Sequence, residues 1–228
     1  MNKKKTAVVL LSGGLDSTTC LYWAKDQGYE CHCLVFDYGQ RHKKEIQQAA
    51  KIAKTAKCQY QIVKISFPWK GSSLLDKNLS VPVSTAVRRP LSAIPSTYVP
   101  ARNTIFLSFA LSCAEAIGAK AVVIGANALD YSGYPDCRPK YFQAIQKMAD
   151  LATKAGVEGR KIKIVTPLLH KTKAQIIRWG SELKVPYQFT WSCYRGGTRP
   201  CGICDSCILR AKGFREAKIA DPAILDSR

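Results

Sequence analysis

The chain has 228 residues, of which 46% are hydrophobic, and it is long enough to bury a full core as one domain or as one domain with a small appendage. No apolar run approaches the roughly 20 residues that a membrane-spanning helix needs. The apolar stretch near the amino terminus, residues 7–11, is shorter than the core of a signal peptide. We therefore expect a cytoplasmic protein without a membrane partner.

The chain is strongly basic, with a formal net charge of +19. Such a charge attracts polyanions, so a direct role with RNA stays open. Anionic small substrates also account for it, and the basic residues are spread along the chain without an RNA-binding motif or an arginine-rich arm. We therefore expect no nucleic-acid partner.

The stretch from Thr6 to Ala24 carries the clearest signal. An apolar, β-branched run predicts a buried strand, Gly13 and Gly14 predict a turn, and the pattern that follows predicts a helix. In this geometry, backbone N–H groups and the helix dipole bind phosphate. Asp16 stands where a Walker A loop has lysine, which suits a carboxylate that shares Mg²⁺ with phosphate oxygens. A plain glycine turn between a strand and a helix is the alternative interpretation.

Strand and helix patterns then alternate, which predicts an α/β, Rossmann-like fold with a parallel sheet and helices on both faces. The further predicted strands are residues 30–36, 59–65, 121–125 and 162–165. We assign residues 1–165 to a nucleotide-binding α/β domain and residues 166–228 to a small C-terminal helical region. A long segment with four prolines, residues 66–99, interrupts the alternation, and we interpret it as a lid or substrate loop rather than a floppy insertion.

Polar residues follow several predicted strands, at the edge of the sheet where open α/β folds bind ligands. One such cluster is residues 37–42, and a second, residues 125–138, contains two aspartates, two tyrosines, an arginine and a thiol. Arg102 and the residue after it open a predicted helix at the same edge. Lys171 lies just before the first turn of the last predicted helix and Lys173 lies inside it, and the two lysines either point toward this edge or lie on a solvated face.

Four of the ten cysteines, Cys193, Cys201, Cys204 and Cys207, cluster near the carboxyl terminus, and the last three have the spacing C-x2-C-x2-C. Four thiolates around one centre are typical of a structural, tetrahedral Zn²⁺ site. An iron–sulfur cluster is the alternative, but its fourth cysteine usually lies downstream rather than upstream. In a cytosolic protein this pattern favours a metal site over disulfides.

The run SGGLDS, residues 12–17, resembles the signature of the PP-loop ATP pyrophosphatases, which cleave ATP between the α- and β-phosphates. Further motifs follow in order: DYGQRHKKE, YVPARNTIFLSFA, GANALDYSGYPDCRP and TWSCYRGGTRPCGICDSC. With them, the chain resembles the QueC family of 7-cyano-7-deazaguanine synthases over nearly its whole length. The resemblance is weakest over residues 66–87 and after Phe214. Lys140 stands where an acidic residue is expected, so we assign it no role.

The resemblance implies a ligase that converts 7-carboxy-7-deazaguanine and ammonia to the nitrile of queuosine precursor synthesis. ATP would activate first the acid oxygen and then the amide oxygen by adenylation, because hydroxide and oxide are poor leaving groups. The implied cofactors are ATP as co-substrate, Mg²⁺, and one structural Zn²⁺ per subunit. The implied assembly is a homodimer.

The resemblance also assigns residues to roles. The nucleotide-binding residues would be Leu11, Ser12, Gly13, Gly14, Leu15, Asp16, Ser17, Thr18, Thr19, Cys20 and Leu21. The catalytic candidates are Asp16, Ser17, Arg102, Asp130 and Lys171, with Lys163 as an alternative to Lys171 for neutralising pyrophosphate. The candidates for substrate binding are Asp130, Tyr131, Tyr134, Asp136 and Arg138, and the metal ligands are the four clustered cysteines.

Two other functions fit parts of the sequence. A PP-loop enzyme that modifies a base within tRNA would use the same ATP chemistry, and the net charge supports it, but such enzymes usually need an added RNA-binding domain. A nucleotide-binding module with a zinc knuckle and no turnover is the second alternative. The complete SGGLDS run and the polar loop at residues 125–138 argue against it.

Overall fold

A five-stranded parallel sheet lies at the centre of the molecule. The structure is a computed structural model and describes residues 5–83, 94–129 and 133–225. The strands are β1 (Thr6–Leu10), β2 (Glu30–Asp37), β3 (Gln59–Lys64), β4 (Ala121–Val123) and β5 (Lys163–Val165). Their order across the sheet is β3-β2-β1-β4-β5, and every neighbouring pair is parallel.

Helices connect the strands, as parallel pairing requires. They are α1 (Leu15–Asp26), α2 (Lys44–Thr55), α3 (Arg102–Ala116), α4 (Pro139–Ala152), α5 (Lys154–Val157), α6 (Lys173–Glu182), α7 (Asp205–Ala217) and α8 (Pro222–Leu225). Two short 3-10 turns occur at Pro135–Cys137 and Tyr187–Phe189. The predicted Rossmann-like sheet with helices on both faces is confirmed.

The core has two halves, one on each face of the sheet. Alternate residues of β1 point to opposite faces, so Val9 packs with α1, α2 and α6, whereas Val8 packs with α3 and α4. Both sets are apolar because a parallel sheet is covered on both sides. Val8 and Val9 are completely buried, so the alternation that a half-exposed strand would show is absent from β1.

The central strand β1 lies between β2 and β4, where the strand order reverses. The chain runs outward from β1 to β3, then returns through α3 to start again on the other side at β4. Open α/β sheets bind ligands beyond the carboxyl ends of the strands at such a reversal. The turn after β1 and the loop after β4 therefore meet at the place where a ligand site is expected.

Gly125, just beyond β4, lies very close to the start of α1. A Cβ atom at this position would lie 2.9 Å from the backbone nitrogen of Ser17 and 3.0 Å from its Cα. The contact needs a residue without a side chain, because both neighbours are backbone atoms of a packed helix. The β4 end thus sets the position of the first turn of α1.

Within its described part, the segment from residue 66 to residue 99 contains neither helix nor strand, as predicted. Arg41 holds it to the body of the protein by donating hydrogen bonds to the carbonyl oxygens of Asp76, Lys77 and Leu79 at 3.1, 2.8 and 2.6 Å. The role of this segment as a lid or substrate loop stays a prediction.

The C-terminal helices pack on the face of the sheet that α1 covers. Ile176 and Ile177 of α6 and Phe214 of α7 belong to the same buried cluster as the apolar side of α1. Thr172 and Gln175 form a capping box at the start of α6. The division of the chain at residues 165 and 166 stays a prediction.

We predict that Gly125→Ala lowers the free energy of unfolding by about 1–3 kcal/mol, because the added methyl group must push β4 and α1 apart. Chemical denaturation of the purified variant measures the change. An unfolding free energy equal to that of the unmodified protein would show that the two backbones separate without cost.

Candidate functional site

The turn after β1 is held by its own hydroxyl groups. Ser12 donates its backbone N–H to the Ser17 hydroxyl at 3.1 Å, and the two hydroxyls lie 2.9 Å apart. Thr18 donates its hydroxyl to the carbonyl of Gly14 at 2.7 Å. These bonds fix the backbone of the turn before any ligand arrives.

Gly13 is the residue of this turn that cannot carry a side chain. Its φ of +82° lies in the left-handed region, and a Cβ would lie 2.4 Å from the carbonyl oxygen of Glu45 and 2.8 Å from the nitrogen of Ala49. The turn is therefore pressed against α2. Trp191 approaches the same residue and donates its backbone N–H to the Gly13 carbonyl at 2.9 Å.

An open cavity of about 230 Å³ lies beyond the carboxyl ends of β1 and β4. The residues of the predicted nucleotide-binding stretch that line it are Leu11, Ser12, Gly14, Leu15, Asp16 and Ser17. The cavity lining does not include Gly13 or residues 18–21, and Thr18, Thr19, Cys20 and Leu21 are fully buried. The six lining residues thus form one wall of the cavity, while the buried residues 18–21 anchor α1 in the core.

Asp16 faces an ammonium group rather than open solvent. Lys173, at the start of α6, donates to both carboxylate oxygens at 2.7 and 2.8 Å. The side chains are only 10% and 16% exposed, so the ion pair lies largely out of water. Lys173 also lines the cavity, which places one cation and one anion at the end formed by the turn after β1.

The structure favours Lys173 over the other two lysines considered from the sequence. The ammonium of Lys171 lies 4.7 Å from the ring centroid of Trp179, and this residue does not line the cavity. Lys163 is the first residue of β5. It therefore lies at the amino end of that strand, away from the carboxyl ends where the cavity lies. The catalytic role assigned to Lys171 stays an untested prediction.

Arg102 and Asn103, at the start of α3, line the cavity as expected. Arg102 donates to the hydroxyl of Tyr38 at 3.2 Å. The residue before it, Ala101, has a φ of 51° in the left-handed region. This unusual conformation turns the chain so that α3 begins with the guanidinium of Arg102 at the cavity.

Asp136 is built into the fold instead of facing the cavity. It is 5% exposed, and its carboxylate accepts a hydrogen bond from the backbone N–H of Asn103 at 3.0 Å. Burial raises the pKa of this carboxyl, against the lowering effect of the hydrogen bond and of Arg102. The prediction that Asp136 binds the substrate stays untested.

The remaining predicted substrate residues differ in position. Tyr134 lines the cavity, and its hydroxyl lies 2.8 Å from that of Thr97. Arg138 precedes α4 and does not line the cavity. Asp130 and Tyr131 lie outside the described residues.

Several cavity residues were not assigned a role from the sequence, namely Tyr38, Glu45, Phe106, Trp191 and Tyr194. Tyr38 and Glu45 belong to the DYGQRHKKE motif. The family resemblance therefore included these two residues but assigned them no role. Burial raises the pKa of the Glu45 carboxyl to about 7, although the nearby Arg102 lowers it. This carboxyl therefore changes its charge near neutral pH.

The four cysteines come together as predicted. The sulfur atoms of Cys193, Cys201, Cys204 and Cys207 all lie within 4.8 Å of one another, and those of Cys201 and Cys207 are 4.0 Å apart. Metal–sulfur bonds of 2.3 Å in a tetrahedron place the sulfurs about 3.8 Å apart. The cluster could therefore bind a metal ion with little movement.

The cysteine cluster is joined to the turn after β1 through Trp191. The indole N–H of Trp191 donates to the carbonyl of Cys193 at 3.0 Å, and its backbone N–H holds the Gly13 carbonyl. Lys44 adds a second link, because it donates to the carbonyls of Gly197 and Thr198 and lies 3.7 Å from the Trp191 ring centroid. The segment that carries the four cysteines thus supports one wall of the cavity.

Arg210 follows the cluster in sequence, but its charge is matched elsewhere. It is 8% exposed and forms two hydrogen bonds with Asp221 at 2.6 and 2.8 Å. It also donates to the hydroxyl of Thr190 at 2.7 Å. Arg210 therefore helps to hold the carboxyl-terminal segment in place, and it also lines the cavity.

The comparisons with known proteins agree with the sequence motifs. A family model described as "Queuosine biosynthesis protein QueC" matches residues 6–218. The chain belongs to the QueC family. One QueC relative, the 7-cyano-7-deazaguanine synthase of Nostoc punctiforme, is 54% identical over 220 residues, which are 96% of this chain and 98% of the relative. Another of the same name, from Rhodopirellula baltica, is 56% identical over 226 residues, which are 96% of this chain and 90% of the relative.

The fold of this QueC chain is shared with more distant proteins. It resembles the crystal structure of a 4-thiouridine synthetase in complex with RNA and bound ATP, with a TM-score of 0.52 and 19% identity. The match covers 97% of this chain and 49% of that one. At this identity the likeness shows the fold alone. No helix among the described residues combines the length and apolar character that crossing a bilayer requires.

We predict that Lys173→Met lowers the free energy of unfolding by about 3 kcal/mol, because it removes the cation from a largely buried carboxylate. Lys154→Met is the matched control, since Lys154 pairs with Glu158 at 3.9 Å with side chains 77% and 41% exposed. That exposed pair contributes at most about 1 kcal/mol. Equal losses in the two variants, measured by denaturant titration, would contradict the importance of the Asp16 ion pair.

Proposed function

We propose that this QueC family member converts 7-carboxy-7-deazaguanine and ammonia to 7-cyano-7-deazaguanine with consumption of ATP. The observation that carries the proposal is the hydroxyl-braced glycine turn at the mouth of a cavity, in a chain more than half identical to synthases of that name. A relative of this identity and coverage supports the same reaction. The cavity supplies the place for it.

Two activation steps are needed because two oxygens must leave one carbon atom. In the first, a carboxylate oxygen attacks the α-phosphorus of ATP, pyrophosphate departs, and ammonia then displaces AMP from the acyl carbon to give the amide. In the second, the amide oxygen attacks another ATP, and loss of AMP with two protons leaves the nitrile. Each step replaces a poor leaving group by a phosphate ester, and charge stabilisation on phosphate is the main catalytic requirement.

The residues around the turn suit that requirement. Backbone N–H groups near Ser12 and Gly14, at the start of α1, would hold phosphate oxygens, and Ser17 would add its hydroxyl. Arg102, Lys173 and Arg210 line the cavity, and of these Arg102 and Lys173 would neutralise the departing pyrophosphate. Asp16 would hold Mg²⁺ together with phosphate, which agrees with the preference of this ion for a few carboxylates plus substrate oxygens. Bound Mg²⁺ supplies charge neutralisation at the phosphates.

The other end of the cavity suits a flat heterocycle. Phe36 and Phe106 are stacked with ring centroids 4.0 Å apart, and the ring of Tyr38 lies 5.4 Å from that of Phe106. Aromatic walls favour stacking of a planar ring system. Tyr134 lies in the same lining, and Asp130 and Tyr131 stay candidates for reading the edge of the base.

We assign the four-cysteine cluster to a structural zinc ion. Four sulfur donors without an open coordination position suit structural Zn²⁺. Its binding would fix the segment that carries Trp191, and through it the Gly13 carbonyl. A homodimer in the cytoplasm without a nucleic-acid partner completes the proposal.

The experiment that tests the function is mass spectrometry of the products from purified protein, ATP, Mg²⁺, ammonium and 7-carboxy-7-deazaguanine. We expect the nitrile, AMP and pyrophosphate, with the amide as an intermediate. A protein that binds ATP but forms neither amide nor nitrile would favour a nucleotide-binding module without turnover.

We predict that Asp16→Asn lowers the rate of nitrile formation at least about 100-fold, because the carboxylate that would hold Mg²⁺ beside the phosphates loses its charge. Asp26→Asn is the matched control, since Asp26 is exposed at the far end of the same helix. The zinc content should be unchanged in both variants. Full activity of Asp16→Asn would remove this carboxylate from the catalytic machinery.

We predict that Cys204→Ser lowers the zinc content per chain and weakens ATP binding, because the Trp191 segment loses its anchor next to Gly13. Elemental analysis and ATP titration measure the two effects, and Cys113→Ser, outside the cluster, is the control. A Cys204 variant that keeps one zinc ion per chain would show that the metal site is misassigned. Loss of zinc with unchanged ATP affinity would disprove the link through Trp191.

A further inference from the structure

A second, smaller cavity of about 50 Å³ adjoins the main one. Tyr38, Glu45, Leu74, Arg102 and Tyr194 line both cavities. A water molecule needs about 10–15 Å³ of such space. The small cavity therefore admits a few molecules of the size of water or ammonia, but it excludes a purine or a nucleotide.

Glu45 is the acidic residue that the two cavities share. It lies in the first turn of α2, directly behind the Gly13 turn. Within residues 5–83, 94–129 and 133–225, no hydrogen bond or ion pair occupies its carboxylate. The other acidic residue of the main cavity, Asp16, is held by Lys173. Glu45 is thus available to a small cation that enters from the side.

The surroundings of Glu45 set its protonation. The titratable or charged groups that face the small cavity with it are Tyr38, Arg41, His42, Arg102 and Tyr194. Burial raises the pKa of Glu45 to about 7 in spite of Arg102, so both protonation states are populated near neutral pH. A base with its pKa near the working pH is the most effective one.

We propose that Glu45 binds ammonium in the small cavity and takes a proton from it, which delivers neutral ammonia to the activated acid. This inference rests on the proposed function, because that reaction consumes ammonia whereas ammonium predominates in neutral water. The positive charge of Arg102 limits how tightly ammonium is held, which suits a site that must release the neutral form.

The proton and electron balance of the step is simple. Ammonium gives one proton to the Glu45 carboxylate and becomes ammonia. The nitrogen lone pair forms the new C–N bond, and the C–O bond to AMP breaks with its electron pair on the phosphate oxygen. The second proton that nitrogen loses leaves with the phosphate, and Glu45 returns its own proton to water after the amide forms.

A competing role for Glu45 is recognition of the N–H edge of the deazaguanine base. The two roles act on different half-reactions. Recognition of the base is needed for adenylation, whereas deprotonation of ammonium is needed only afterwards. Exchange of radiolabelled pyrophosphate into ATP, dependent on 7-carboxy-7-deazaguanine, reports adenylation without ammonia.

The test compares Glu45→Gln with the unmodified protein in three assays. We expect acid-dependent pyrophosphate exchange to change less than 3-fold. We expect kcat/KM for ammonium to fall about 100-fold, as for the loss of a general base, and its pH profile to lose the ionisation near pH 7. Hydroxylamine is largely unprotonated at neutral pH, so it should form the hydroxamate at nearly equal rates in both proteins.

Glu30→Gln is the matched control, because Glu30 is exposed at the amino end of β2. It should leave all three measurements unchanged. Loss of pyrophosphate exchange in Glu45→Gln would overturn the proposal in favour of a role in base recognition or folding. An unchanged kcat/KM for ammonium, or an equal loss with hydroxylamine, would also overturn it. Absence of exchange in the unmodified protein would instead contradict the proposed function itself.

Discussion

The contact between the Gly13 turn and its two backbone neighbours is the constraint on which the rest of the site depends. Gly13 lies against the carbonyl of Glu45 on one side and accepts a hydrogen bond from Trp191 on the other. These contacts join the first turn of α1, the start of α2 and the cysteine-rich segment, which are far apart in sequence. A ligand bound at this turn therefore touches a structure that three separate parts of the chain hold in place.

The charges around the cavity follow from the same arrangement. Asp16 and Lys173 form a largely buried pair next to the turn after β1, while Glu45 and Arg102 lie on the side next to α2 and α3. Each anion thus lies near a cation from another element. The ion pair keeps Asp16 and Lys173 compensated largely out of water. Glu45 forms no ion pair among the described residues, and burial raises its pKa to about 7.

The sequence predicted the sheet, the glycine turn after β1 and the cysteine cluster because each is encoded by nearby residues. Periodicity gave the strands of the α/β fold, and C-x2-C-x2-C needs only a few residues of chain. Lys173, Trp191 and Tyr194 reach the cavity through long-range packing, which periodicity does not encode. The buried position of Asp136 depends on a similar long-range contact, since its hydrogen-bond partner lies at the start of α3, 33 residues earlier, and its role in substrate binding stays a prediction. Roles that rest on Asp130 and Tyr131 stay predictions.

The left-handed conformation of Ala101 has a consequence for engineering and for adaptation to heat. An alanine with a φ of 51° costs about 1 kcal/mol relative to glycine. Glycine would remove that cost, but it would also free the hinge that aims the adjacent guanidinium of Arg102. At residue 101, higher stability and a fixed orientation of the Arg102 side chain therefore make opposite demands. A more heat-resistant descendant would have to gain its extra stability elsewhere, for example on the outer faces of the helices.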